Sequence, residues 1–271
     1  MATRLTIGGN ETGPVGRAAL PWRVGILVAT ALLAVARACS IPRIPQDPRY
    51  FAFVDDRNLV GVPNALNVLS NVTFAGVGLA GLVLLWRGRI AFRDARERWP
   101  WAVFFAGVAL TSVGSTWFHL SPTNDSLVWD RLPMSVGFMG LFAALLAERV
   151  DVTAGLRLLA PLVAAGTGTV ISWIATEHAG VGDLRPYLLV QYYPLAAIPL
   201  VLVLFSPAYT GTWGWIAGLA TYAAAKWAEV EDGRLYGALG FVSGHTLKHL
   251  LAASGIAVLL VMLGRRRVLP G

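Results

Sequence analysis

Apolar runs of close to twenty residues alternate with short polar connections along most of the chain, a pattern set by the thickness of a bilayer. The runs predict helices over residues 21–38, 64–86, 101–119, 127–147, 155–176, 187–205, 212–229 and 235–263. Residues 1–20 are polar and Gly-rich and predict a poorly ordered tail, and residues 264–271 form a second, basic tail. Residues 39–63 hold four prolines, Pro42, Pro45, Pro48 and Pro63, and predict a loop, with Asn64 as the N-cap of the helix that follows. The first run has a second reading. Ala36-Arg37-Ala38 before Cys39 has the form of a signal-peptide cleavage site, but Arg37 and the near-spanning length favour a retained helix. The expected fold class is therefore all-α, a polytopic transmembrane bundle with seven helices over residues 64–263 and one extra helix in front.

Composition narrows the class. With 56% hydrophobic and 14% charged residues, the chain is too apolar for an ordinary soluble domain. The formal charge of +7 comes mostly from arginine and belongs beside anionic lipid, so nucleic acid is not an expected partner. Thirteen basic residues fall in the first 23 residues, in 87–98, at Arg149 and Arg157 and at 265–267; eight fall on the alternate side, with Lys248 inside a span. The positive-inside rule then places both termini in the cytoplasm of a bacterial-type inner membrane or an equivalent one, with loop 39–63 outside. One cysteine, Cys39, excludes an internal disulfide, so any metal must rely on His, Asp and neutral oxygen.

The candidate chemistry centres on Gly244-His245-Thr246-Leu247-Lys248-His249. Histidines four apart on a helix share one face and can reach a common point. A second half comes from Ser115-Thr116-Trp117-Phe118-His119, followed by Asp130 at the start of the next helix. In the expected topology His119 and Asp130 lie near the outer leaflet, with His245 about ten residues into helix 235–263 at a compatible depth. An isolated His-x-x-x-His is as often interhelical hydrogen bonding as a metal site; the convergence of Ser115, His119, Asp130, His245 and His249 favours a site. The stripe Asn64, Asn67, Ser70 and Asn71 reads as interhelical glue. Lys248 is expected to point away from the histidines, and His178 to be surface chemistry. Glu177, Asp183, Arg185, Lys226 and Glu229 are candidates for a head-group rim.

Ser115-x-x-x-His119, Asp130 within Asp-x-Leu-Pro-Met, His245-x-x-x-His249 and Asn67-Val68-Leu69-Ser70-Asn71 together resemble the alkaline ceramidases. Their wider superfamily, CREST, includes the adiponectin receptors and the GPI-lipid remodelling proteins. The resemblance covers residues 64–263. It implies a seven-helix bundle, zinc held by His119, His245 and His249, and hydrolysis of a ceramide-like N-acyl lipid in the membrane. The same parts suit the chemistry independently. Three imidazoles leave a fourth position for water, which bound zinc activates; Asp130 would accept its proton and Ser115 would donate to the developing oxyanion. The family's calcium site is carried over poorly. Its candidates here are Asp55, Asp56, Asn58 and Asn64, with Asn64 where the family has glutamate and a different spacing; local ion pairing with Arg57 explains the acidic pair equally well. The alternatives are a receptor of the same fold with structural zinc and, on the strength of Lys248, a transporter or retinal protein.

Overall fold

The computed structural model describes residues 14–270, with side chains from residue 21, and holds no β-strand among the described residues. Helix α1 spans Pro14–Ser40, α2 Ala65–Ser70, α3 Val72–Trp86, α4 Arg98–Leu120, α5 Asn124–Arg149, α6 Val152–His178, α7 Arg185–Leu204, α8 Trp213–Val230, α9 Asp232–Leu239 and α10 Gly244–Arg265. Seven segments are long and apolar enough to cross a membrane: Pro21–Ser40, Ala65–Trp86, Ala95–Leu120, Asn124–Arg149, Val152–His178, Arg185–Leu204 and Gly244–Arg265. The chain is an all-α polytopic bundle. Eight spans were expected, and α8 departs from that count: it is 18 residues long but rich in Trp, Ala and Gly, with Lys226 and Glu229 near its end. Of the tail expected over residues 1–20, residues 1–13 lie outside the described residues and the remainder already belongs to α1.

Two expected helices are broken, and each break has a local cause. In 64–86 the side chains of Ser70 and Asn71 both donate to the Asn67 carbonyl, at 2.9 and 3.1 Å, and the backbone tightens to three-residue hydrogen bonds at Asn71. In 235–263, Gly240 takes a left-handed conformation (φ 76°) that ends α9, and the Ser243 hydroxyl caps α10 by accepting from Thr246 N at 3.1 Å. His245 is consequently in the first turn of α10, not ten residues into a long helix. Asn64 is not a side-chain cap: its backbone is left-handed (φ 47°), and its amide donates instead to the His119 carbonyl at 2.8 Å.

Close helix contacts set the register of the two halves. A Cβ on Gly114 would lie 1.8 Å from the Trp129 carbonyl oxygen, so α4 and α5 touch backbone to backbone where Ser115 and Asp130 follow. Pro133 has no N–H to offer that carbonyl, which is therefore free to press on the neighbouring helix. Gly244 does the same against the Ala228 carbonyl of α8, at 2.1 Å for the added Cβ. At the opposite end of the bundle a buried polar cluster ties α10 to the core. Arg266 donates to Glu148 at 2.7 Å and to the Ala91 carbonyl at 3.0 Å, and Trp215 donates to Glu148 at 3.2 Å. Tyr209 donates to Glu97 nearby, at 2.7 Å, with the Arg266 guanidinium 3.8 Å from the Tyr209 ring centre.

Candidate metal centre

His119, from the last turn of α4, meets His245 and His249, from the first two turns of α10, in the buried interior. One ring nitrogen of each lies within 4.8 Å of the others, close enough for the three to hold a metal ion. His119 Nε2 and His245 Nε2 are 3.3 Å apart. A tetrahedral metal bonded at 2.0–2.1 Å would set neighbouring nitrogens about 3.3 Å apart, so this pair is already at ligand spacing.

The neighbours fix which nitrogens carry lone pairs. Ser70 sends its hydroxyl proton to the Asn67 carbonyl, so it accepts from His249 Nδ1 at 2.8 Å. That leaves His249 Nε2 unprotonated. Lys248 Nζ lies 3.0 Å from His245 Nε2, and an ammonium can only donate, so this nitrogen also presents a lone pair. A metal held by His245 would need that same lone pair, so binding requires the Lys248 ammonium to turn from His245 toward Glu229, which it already touches at 2.9 Å. The ligand spacing and the free Nε2 of His249 fit a metal ion; His119 Nδ1 is buried without a partner among the described residues.

The surroundings hold the triad in place. Asp232 accepts from His245 N at 2.7 Å, and Thr246 donates to Asn67 Oδ1 at 2.7 Å, so Asn67 is the glue expected of it. Phe53 packs its ring 4.7 Å from both His119 and His245, a cover on the site that no local pattern had marked. Lys248 corrects its expected direction: besides touching His245 it pairs with Glu229 at 2.9 Å, and Glu229 also pairs with Lys226.

Ser115 and Asp130 both line a cavity of about 630 Å³, together with His249, Lys248, Lys226, Glu229 and Arg131. A second, almost wholly apolar cavity of about 120 Å³ shares Thr111, Met134, Tyr222 and Ala252 with it and runs on past Phe138 and Leu141 to Trp215. Helix α7 leans on α1 and α5 while α8 leans on α10, which leaves this space between the two pairs.

The expected head-group rim divides. Lys226 and Glu229 line the cavity; Glu177, Asp183 and Arg185 do not, and instead fasten the Pro-rich loop over it. Glu177 accepts from Gln46 N at 2.8 Å and Trp173 Nε1 at 3.0 Å, Leu184 N donates to the Ile44 carbonyl at 2.8 Å, and Arg185 reaches the Ala38 and Ile41 carbonyls. Its side-chain hydrogen bond to Asp183 holds that carboxyl below the usual carboxylate range. His178 pairs with Asp125 at the exposed junction of α6 and α5.

The candidate calcium ligands are placed differently from a cation cradle. Both Asp55 oxygens accept from Arg57, at 2.7 Å each, a pairing that lowers the Asp55 pKa. Arg57 also donates to the Phe241 carbonyl, at 2.6 Å, Asp56 is exposed, and the Asn64 amide is committed to His119. Local ion pairing accounts for the acidic residues. No protein-family model matches the chain, and no curated protein matches it.

Proposed function

We propose that the protein is a zinc-dependent intramembrane hydrolase that cleaves the amide bond of a ceramide-like N-acyl lipid. The observation that carries this reading is the adjacency of a buried three-histidine cluster to a wide cavity that Ser115, Asp130 and His249 line and that continues into an apolar one. Three neutral imidazoles with an open fourth position are the donor set of catalytic zinc, and the resemblance to the alkaline ceramidases supports the same assignment. Zinc held there would polarise a carbonyl and lower the pKa of a water to about 7.

The chain's own groups supply the rest. The apolar cavity takes the acyl chain, which brings the amide to the depth of His249 and Ser115. Asp130 accepts the proton of the attacking water and passes it to the leaving amine, while Ser115 donates to the carbonyl oxygen as it gains charge. Phe53 and the Pro-rich loop cover the site and limit stray water. In this reading α8, packed along α10, is the eighth crossing, so both termini are cytoplasmic and the cavity opens toward the outer face.

The test uses the full-length protein in neutral detergent, assayed for bound zinc and then incubated with membrane lipids. Fatty acid and free amine should appear together, stop on chelation and return with zinc. Stoichiometric zinc in a His245→Ala, His249→Ala double variant would refute the assignment.

A further inference from the structure

Arg131 is buried, yet no carboxylate pairs with it among the described residues. Its guanidinium lies 4.2 Å from the Trp173 ring centre, 4.8 Å from Tyr187 and 5.8 Å from Tyr50, an aromatic cage that holds the cation without neutralising it. Nη2 donates to Gln46 Oε1 at 2.7 Å, and Nη1 has no partner. The same residue lines the large cavity, close enough to Asp130 for their charges to interact. Across the cavity Lys226 and Lys248 share one carboxylate, Glu229.

The wall carries four cations against three carboxylates, and because Arg49 and Asp47 pair at the exposed rim, its buried part holds Arg131, Lys226 and Lys248 against Asp130 and Glu229, before any metal is counted. An uncompensated charge away from water is costly, and an unpartnered guanidinium donor is costly as well. A neutral head group relieves neither.

We propose that this cavity receives an acyl amide whose head group bears an oxyanion, a carboxylate, phosphate or sulfonate, bound by Arg131 with Lys226 and Lys248 facing it. Arg131 supplies a rigid planar donor, already desolvated and fixed by its cage, which suits an oxyanion better than a flexible lysine would. The acyl-amide half of this proposal rests on the function proposed above. The anion subsite stands on Arg131 alone.

Two arms separate the two halves. In the first, octylphosphonate, which has no amide, is titrated into the full-length protein in neutral detergent, both zinc-loaded and chelator-treated. Binding is expected in both states, weakened about 10- to 100-fold by Arg131→Gln. Because that change could disturb folding, Gln46→Glu provides a second variant: it gives Arg131 an internal carboxylate, keeps the cation, and should also weaken the anion. Binding that disappears on chelation and survives both variants would place the anion on the histidines and overturn the subsite.

In the second arm, kcat/KM is compared for N-dodecanoylglycine and N-dodecanoylethanolamine, which differ in head-group charge. A preference of about 10-fold or more for the glycine amide, abolished by Gln46→Glu, is expected. Equal turnover of both amides, unchanged in either variant, would refute the subsite and leave the hydrolase intact. Arg131-dependent phosphonate binding without cleavage of either amide would retain the subsite and refute the hydrolase. Phosphatidic acid in neutral vesicles that displaces octylphosphonate while the glycine amide does not would assign the oxyanion to a bilayer lipid and overturn the substrate assignment.

Discussion

The closest helix contact near the site offers a quantitative test through Gly114→Ala. The added Cβ would start 1.8 Å from the Trp129 carbonyl oxygen, 2.6 Å from its carbon and 3.2 Å from Asp130 N. Ordinary contact begins near 3.4 Å. The obstacle is backbone, so no side chain can rotate away, and α4 and α5 must separate locally by about 1 Å or more. Overpacking of this kind costs about 1–3 kcal/mol of stability. The displacement also has a direction: it moves Ser115 and His119 on α4 away from Asp130 on α5, while leaving His245 and His249 on α10 where they were. A misplacement of about 1 Å in a reacting constellation can cost about 10²-fold in rate. The variant should therefore lose turnover by that order and lose thermal stability, with zinc content reduced less than activity. Unfolding temperature, zinc content and lipid hydrolysis measured on one preparation would decide it. Parental values for all three would mean that the α4–α5 contact is not as close as described and that this register does not set the site.

Three further outcomes are expected. Ser70→Ala removes the acceptor that fixes the His249 tautomer and should lower metal affinity about 10- to 100-fold, read by competition with a chromogenic chelator. Asp130→Asn should keep zinc while turnover falls by about 10²-fold or more, and Ser115→Ala should cost a comparable or smaller factor; parental turnover in Asp130→Asn would remove the proton-transfer role. Reporter fusions at Gly271 and within residues 89–98 should both report the cytoplasm, and an external signal from both would invert the topology.

The triad was legible because its information is local and periodic. Residues four apart on a helix share a face wherever that helix packs, so His245 with His249 and Ser115 with His119 could be paired without knowing the fold. The depth of His245 was not legible in the same way. An apolar run over 235–263 reads as one helix unless Gly240 and Ser243 are given their weight as a stop and a start. Lys248 follows the same rule that paired the histidines: positions three apart also share a face, which is how its ammonium reaches His245. Expecting it to point away neglected that spacing. The roles of Arg131, Phe53 and Glu177 depend on partners distant in the chain, Gln46 for Arg131, His119 for Phe53 and Gln46 N for Glu177, and no local pattern carries contacts of that kind. Glu177, Asp183 and Arg185 were visible as a polar loop, yet polarity does not distinguish a ligand-facing rim from a clasp on another loop.

Helix α10 is held at its two ends by different kinds of bond. Its C-terminal end is held by Arg266, the residue that follows its last turn, in an ion pair with Glu148 that is sealed from solvent. Its first turns meet α4 at the three histidines, a contact that a bound metal ion would strengthen and that its withdrawal would loosen. Such a helix is hinged at one end and latched at the other. Withdrawing the ion should release amide protection in the first two turns of α10 and at the end of α4, while amides near Leu263 stay closed. The bundle would then open locally at the cavity mouth, where the proposed lipid substrate would enter.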